Sequence, residues 1–206
     1  MAHLLTGADE EKVRERIAQV ERRTAGELLV IVSQQSSGYD RARALASAVV
    51  TFALAVLAYL MLPRVPGLWV LCAQAPVFVV LYWLTGRPAL LRLLVPDEEQ
   101  RRKVQARAHQ LFLEQGATET RDRSGVLLYL SELEHRIEVV ADRGIHERVG
   151  AECWKRVVED VVSGIRRGTP VAGVLAAIDD IGVVLAEHFP PRPDDQNELP
   201  DQVVRV

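Results

Sequence analysis

Cysteine is nearly absent from this 206-residue chain, with Cys72 and Cys153 its two examples. Thiols this few and this far apart make no disulfide framework and have no metal-ligand spacing. An excess of basic residues is missing too: 25 Lys and Arg against 28 Asp and Glu give a formal net charge of -3. A dedicated nucleic-acid binder carries a basic stripe, so no nucleic acid is expected as a partner. The chain also lacks the G-x-x-x-x-G-K-[ST] and G-x-G-x-x-G phosphate loops, the G-x-S-x-G nucleophile elbow and the H-E-x-x-H metal helix. Its histidines (His3, His109, His135, His146 and His188) are scattered, and a lone histidine is more often a surface residue than a ligand. Ser124 and Ser131 have no evident His and Asp company, so no nucleophilic triad is expected. There is no internal repeat, and the opening MAHLLTGADEEK has neither an apolar h-region nor a cleavage site, so a signal peptide is not expected.

What the chain does have is apolar residues, at 49%, with 26% charged. That balance supports a packed core and excludes a wholly disordered or collagen-like chain. A mean hydropathy of +0.05 is high for so many charges, so the apolar residues must be concentrated. They are: Ala44 to Leu62 is 19 residues without a charge, and Val65 to Gly86 is 22 more. At 1.5 Å per helical residue, either run covers roughly the ~30 Å of hydrocarbon in a bilayer. Neither has the polar stripe that a helix of a small soluble domain needs. Pro63-Arg-Val-Pro-Gly67 between them reads as a tight turn. Trp69 opens the second run and Tyr82 and Trp83 close it, as interfacial aromatics do. A transmembrane helical hairpin over 44–86 is expected, with the lipid bilayer as a partner. Gln74 and Pro76 interrupt its second run, and Pro76 could kink it.

Arginines dominate both flanks (Arg22, Arg23, Arg41, Arg43 before; Arg87, Arg92, Arg101, Arg102 with Lys103 after), whereas the turn carries Arg64 alone. The positive-inside bias then expects a multi-pass protein of the cell inner membrane with both termini cytoplasmic.

The remaining chain falls into 1–36, 97–188 and a tail, 189–206. In the first piece Thr6 can cap a helix with Asp9 in its first turn and Val13, Ile17 and Val20 on its inner face. Glu27 to Ser33 (ELLVIVS) is apolar on both faces and reads as a central strand. Past the hairpin, Arg87 to Val95 looks interfacial. Pro96 opens a helix with Val104, Ala108, Leu111 and Phe112 inward, closed by Gly116. Gly125 to Leu130 and Ile137 to Ala141 read as strands joined by a hairpin loop. Trp154 to Ile165 traces an amphipathic helix ended by Gly168, and Thr169 with Pro170 starts the last one, inward at Val171, Val174, Ile178, Ile181 and Leu185. The tail PPRPDDQNELPDQVVRV is proline-rich and acidic and is expected to be mostly disordered. Neither ordered piece makes a core alone. The expectation is therefore one α/β domain, a sheet of three to four strands flanked by helices, with the hairpin inserted after strand one and a parallel pairing of strands one and two.

The succession of a helix, then Thr24-Ala-Gly-Glu-Leu-Leu-Val-Ile-Val32, then Arg123-Ser-Gly-Val-Leu-Leu-Tyr-Leu-Ser131, then Arg136-Ile-Glu-Val-Val-Ala-Asp-Arg-Gly-Ile145, resembles the TPM-domain family. The resemblance covers nearly all of residues 8 to 188 outside the hairpin, and Asn197-Glu-Leu-Pro-Asp201 resembles a bacterial subfamily tail. The family includes bacterial membrane-associated proteins and plant thylakoid-lumen proteins. The resemblance implies a small sheet flanked by helices and, for some members, acid phosphatase activity or divalent-metal binding. The chain departs from the common layout, in which an exported domain carries its membrane anchor at one end.

One constellation follows from the expected topology. A hairpin between strands two and three puts Asp122 beside Asp142, and a parallel strand one brings Glu27 to the same edge. Three carboxylates there could hold a hard divalent cation, calcium or magnesium, or orient a water for phosphoester attack. Equally, Arg123 and Arg143 could pair with Asp122 and Asp142 as ordinary salt bridges. Two functions stay open: a membrane-anchored interaction or scaffold module that docks other proteins in membrane-protein maintenance, and a metal-dependent acid phosphatase-like hydrolase.

Overall fold

The computed structural model describes residues 5–149, 152–192, 198–199 and 203–206. Its elements are α1 (Gly7–Glu21), β1 (Glu27–Ser33), α2 (Asp40–Met61), α3 (Gly67–Thr85), α4 (Pro88–Leu94), α5 (Asp97–Glu114), β2 (Gly125–Ser131), β3 (Arg136–Ala141), α6 (Arg143–Val149), α7 (Glu152–Arg166), α8 (Pro170–His188) and β4 (Val204–Arg205). They divide into two compact units, residues 1–36 with 102–206, and residues 37–101.

The first unit is built on a four-stranded mixed sheet of order β3-β2-β1-β4. β1 and β2 pair in parallel from Glu27 opposite Gly125 to Ser33 opposite Ser131. β2 and β3 form the antiparallel hairpin, Val126 opposite Ala141 through Ser131 opposite Arg136. Both faces of β1 and β2 are covered, which is why these strands read as unbroken apolar runs. Leu28, Val30 and Val32, with Val126, Leu128 and Leu130, point to the face packed by α1, α7 and α8. Leu29, Ile31, Leu127 and Tyr129 point the other way, against Val104, Ala108, Leu111 and Phe112 of α5. Val13, Ile17 and Val20 make the buried stripe of α1, together contributing on the order of 5 kcal/mol of side-chain burial.

The two strand starts are tied by close approach. The Glu27 amide donates to the Ser124 carbonyl at 3.2 Å, and the Ser124 hydroxyl donates to the Ala25 carbonyl at 3.0 Å. The Thr24 hydroxyl reaches the Phe189 carbonyl at 2.7 Å. Gly125 sits so close to the backbone that a Cβ there would stand 2.2 Å from the Ala117 carbonyl oxygen. The Thr-Ala-Gly and Ser-Gly motifs thus fasten the end of α8 and the head of β2 to β1.

Three sequence expectations are revised, and the capping of α1 by Thr6 with Asp9 is met. The tail is expected without structure, yet β4 pairs in parallel with β1 (Ile31 opposite Val204), and Leu199 is buried. A strand of two residues is too short to announce itself in a sequence; β1 supplies the template. Its remainder, 193–197 and 200–202, lies outside the described residues. A short helix, α6, follows β3 directly, where a sheet edge alone is expected; a single buried side chain, Ile145, holds it. Thr169 stands at the start of α8 but makes no cap bond with its side chain; the hydroxyl turns back to the Gly164 carbonyl at 3.4 Å. At α1, the Thr6 amide and hydroxyl both donate to the Asp9 carboxylate, at 3.0 and 2.5 Å.

In the second unit, α2 and α3 pack against each other and α4 against both. These are two helices long and apolar enough to cross a membrane, of 22 and 19 residues. Their large side chains face outward, with Phe52, Tyr59, Leu60, Leu68, Trp69 and Val79 all exposed. α3 runs unbroken through Pro76, whose ring nitrogen has no hydrogen to give the Cys72 carbonyl one turn back.

Candidate functional site

The register does carry Glu27, Asp122 and Asp142 to one end of the sheet: Glu27 is opposite Gly125, and the Asp142 amide donates to the Gly125 carbonyl at 2.9 Å. Their carboxylates, however, each turn to a different protein group. Glu27, 6% exposed, accepts the amides of Glu198 and Leu199, both at 3.2 Å. Asp122 pairs with the Arg192 guanidinium at 2.7 Å. Asp142 takes the Arg143 amide on Oδ1 at 2.6 Å, and its carbonyl accepts the Ile145 and His146 amides, so it starts α6. The expected pairs with Arg123 and Arg143 are not the ones observed. Arg143 turns its guanidinium to Glu147 at 2.7 Å, a full helical turn along α6, which Asp142 cannot match from the cap position.

A divalent cation fits this arrangement poorly. One oxygen, the buried Oδ2 of Asp142, has no hydrogen-bond partner, while the other acids are spent on amides and a guanidinium. Among the described residues no three carboxylates, histidines or cysteines are grouped closely enough to hold a metal ion. The edge therefore works as a clasp. Glu27 fastens the tail to the first strand, Arg192 fastens the chain after α8 to the β2 approach, and Asp142 fastens α6.

At the opposite end of β1 and β2 lies a polar knot that the sequence left unmarked. The Ser36 hydroxyl stands 3.0 Å from the Tyr129 hydroxyl and donates to Ser131 Oγ at 3.0 Å. Ser131 donates in turn to the Glu134 carboxylate, which also accepts the Ser36 amide at 3.0 Å. Ser131 thus has a carboxylate partner and one hydroxyl partner, with the Tyr129 hydroxyl one bond further on, in a part-buried network that closes the β2–β3 turn onto the exit of β1.

On the α7–α8 side a cavity of about 210 Å³ is lined by Cys153, Arg156, Val157, Asp180, Val183 and Val184. Burial holds the Cys153 thiol above its ordinary 9.0, only partly offset by Arg156. That is the reverse of what activates a nucleophilic cysteine. Asp180 is pushed above 3.8, first by burial and then by the hydrogen bond and charge of Asp160.

The second unit has its own polar constellation at one end of α2 and α3. Asp40 accepts the Tyr82 hydroxyl at 2.9 Å and pairs with Arg43 at 3.2 Å. Arg43 lies over the Tyr82 ring, 4.3 Å from its centre, and donates to the Tyr82 carbonyl at 3.1 Å. Ser47 and Thr85 hydroxyls approach to 3.4 Å, and Arg87 lies over Trp83 at 5.3 Å. Aromatic rings that end an apolar helix and hold arginines are what a bilayer–water boundary selects.

Residues 90–184 match the TPM domain family. That stretch is similar to a TPM domain. The match opens at α4, so it leaves out α1 and β1, which stand in the same sheet and core as β2. The fold also resembles the solved NMR structure of the BA42 protein from the psychrophilic bacterium Bizionia argentinensis, with a TM-score of 0.64 at 18% identity, over 100% of this chain and 98% of that one. At that identity the likeness is one of fold, and it takes in α1 and β1 as well. No curated protein matches the chain.

Proposed function

We propose that this protein is a membrane-anchored TPM domain that serves as an interaction module, held by the α2–α3 hairpin with both termini on the cytoplasmic side. The observation that carries the reading is the pair of apolar helices of 22 and 19 residues whose large side chains face outward. In water such a surface would drive aggregation, and in a bilayer it is satisfied. The arginines gathered around Asp40, Tyr82 and Trp83, against Arg64 alone at the turn, support a cytoplasmic side for this end. A docking role is favoured over phosphoester hydrolysis because Glu27, Asp122 and Asp142 are each engaged in fastening chain segments.

The test is fractionation of the full chain. It should stay with membranes through alkaline carbonate, and replacing residues 40–95 by a flexible linker should release it. Reporters at both termini should be active only as cytoplasmic reporters. Release of the intact chain by carbonate, or an exported terminus, would remove the anchor reading. Chelator-sensitive hydrolysis of a generic phosphoester by the detergent-solubilised protein would move the assignment to the hydrolase.

A further inference from the structure

α4 is a short helix with two opposed apolar sides. Leu91 and Val95, one turn apart, are buried, whereas Leu93 is 83% exposed and Leu90 and Leu94 are 40% and 36% exposed. The exposed leucines recur at i, i+3 and i+4, so they form a single stripe. The helix is well fixed. It packs on α2 and α3, and the buried Gln100 side chain donates to the carbonyls of Val95 at 2.9 Å and Arg92 at 3.3 Å. The exposed stripe is therefore a built surface rather than a frayed end.

Its surroundings say what covers it. α4 starts at Pro88, three residues after α3 ends at Thr85, which is where the apolar run stops. Arg87 and Arg92 are exposed on either side of the leucines, and Arg41 is exposed at the start of α2. Asp40 is at this end of the pair too, already matched by Arg43. The next acids, Asp97 to Glu99, come after Pro96 in the first turn of α5, where a helix favours them. The end of the hairpin is thus net positive around an apolar stripe. Leucines beside long arginines match a headgroup layer, with the leucines at the acyl boundary and the guanidiniums reaching up to phosphates.

We infer that α4 lies in the plane of the membrane surface and binds anionic lipid, with Leu90, Leu93 and Leu94 at the acyl boundary and Arg41, Arg87 and Arg92 on the headgroup phosphates. This rests on the membrane reading of α2 and α3. It adds a choice of lipid, because a zwitterionic headgroup offers these arginines no net attraction.

The test uses the full chain with Cys72→Ser and Cys153→Ser, labelled with an environment-sensitive fluorophore at Leu93→Cys or, separately, at Val79→Cys in α3. Each protein is reconstituted into vesicles of phosphatidylcholine alone and of phosphatidylcholine with phosphatidylglycerol. The label at residue 93 should be blue-shifted and several-fold better protected from acrylamide in the anionic vesicles. Arg87→Gln with Arg92→Gln should abolish that difference, and so should high salt, which needs no variant to fold. A label at 93 that stays water-exposed, or is shielded equally in both vesicles, while the label at 79 is buried, overturns the assignment and leaves the hairpin standing. A water-exposed label at 79 overturns both.

Discussion

Leu199 offers a direct test of whether the tail is part of the fold. It is 7% exposed and packs with Leu29, Ile31 and Leu111, while its amide is held by Glu27 at 3.2 Å. Cutting off the tail would be ambiguous, because the lost contacts are offset by about 1–2 kcal/mol of ordering entropy regained per residue. Leu199→Ala keeps the amide bond and removes only the side chain. A buried Leu→Ala costs about 2–5 kcal/mol, and a site at the rim of a cluster can partly collapse, so about 2–3 kcal/mol is expected. The assay is urea unfolding of the soluble variant in which a flexible linker replaces residues 40–95, since loop closure depends only weakly on length. The midpoint should fall with the slope unchanged, and the melting temperature should drop by about 5–10 °C. A loss below about 0.5 kcal/mol, the size of an ordinary surface substitution, would refute the docking of Leu199.

Two further outcomes are expected of the same soluble variant. Asp142→Asn should change stability by less than about 0.5 kcal/mol, because Asn and Asp cap helices equally well, whereas Asp142→Ala should cost about 1 kcal/mol. Millimolar calcium or magnesium should leave the melting temperature unmoved, and a cation-dependent rise that Asp142→Asn abolishes would restore the divalent-metal reading. Asp180 has a folded pKa above its ordinary 3.8, so the native state resists losing that proton. Its unfavourable effect is absent below 3.8, grows as pH rises to the raised value and is constant above it. Asp180→Asn should therefore be modestly more stable than the parent in urea at neutral pH and no more stable below the ordinary value, the gain being small because solvent screens the group. A variant less stable at neutrality would contradict the sign.

The strands and long helices were legible in the sequence because burial imposes period. β1 shows apolar residues on both faces because α5 covers one and α1, α7 and α8 the other. Val13, Ile17 and Val20 mark α1, and Val104, Ala108 and Leu111 mark α5, for the same reason. The common edge of Glu27, Asp122 and Asp142 was legible as well, since it follows from one parallel and one antiparallel pairing. What each carboxylate does there was not. Glu27 and Asp122 find partners some 70 to 170 residues away, Arg192, Glu198 and Leu199, in a segment whose prolines and acids read as unstructured. Composition reports what a segment can bury by itself, and among its described residues the tail buries Phe189 and Leu199 and borrows its strand partner. α6 escaped notice because one buried isoleucine has no period. The ring-and-arginine contacts of Asp40, Arg43 and Tyr82 join two helices across a turn, a pairing that helix period alone does not announce.

The position of β1 in the chain sets a timing problem for synthesis. It is the first strand made, and its neighbours are β2, about a hundred residues later, and β4, at the far end of the sequence. At about 5–20 residues per second, roughly 5–20 s pass between completion of β1 and completion of β2. Through that interval a seven-residue strand, ELLVIVS, uncharged after its first residue, has both edges open. Segments of that kind seek any strand they meet. β4, which pairs with the other edge of β1, is translated later than β2, so the newborn chain must be kept apart from its own copies until both partners of β1 are made. Crowding of nascent chains, more than mutation of the finished fold, is then the condition under which this protein is most exposed to misassembly.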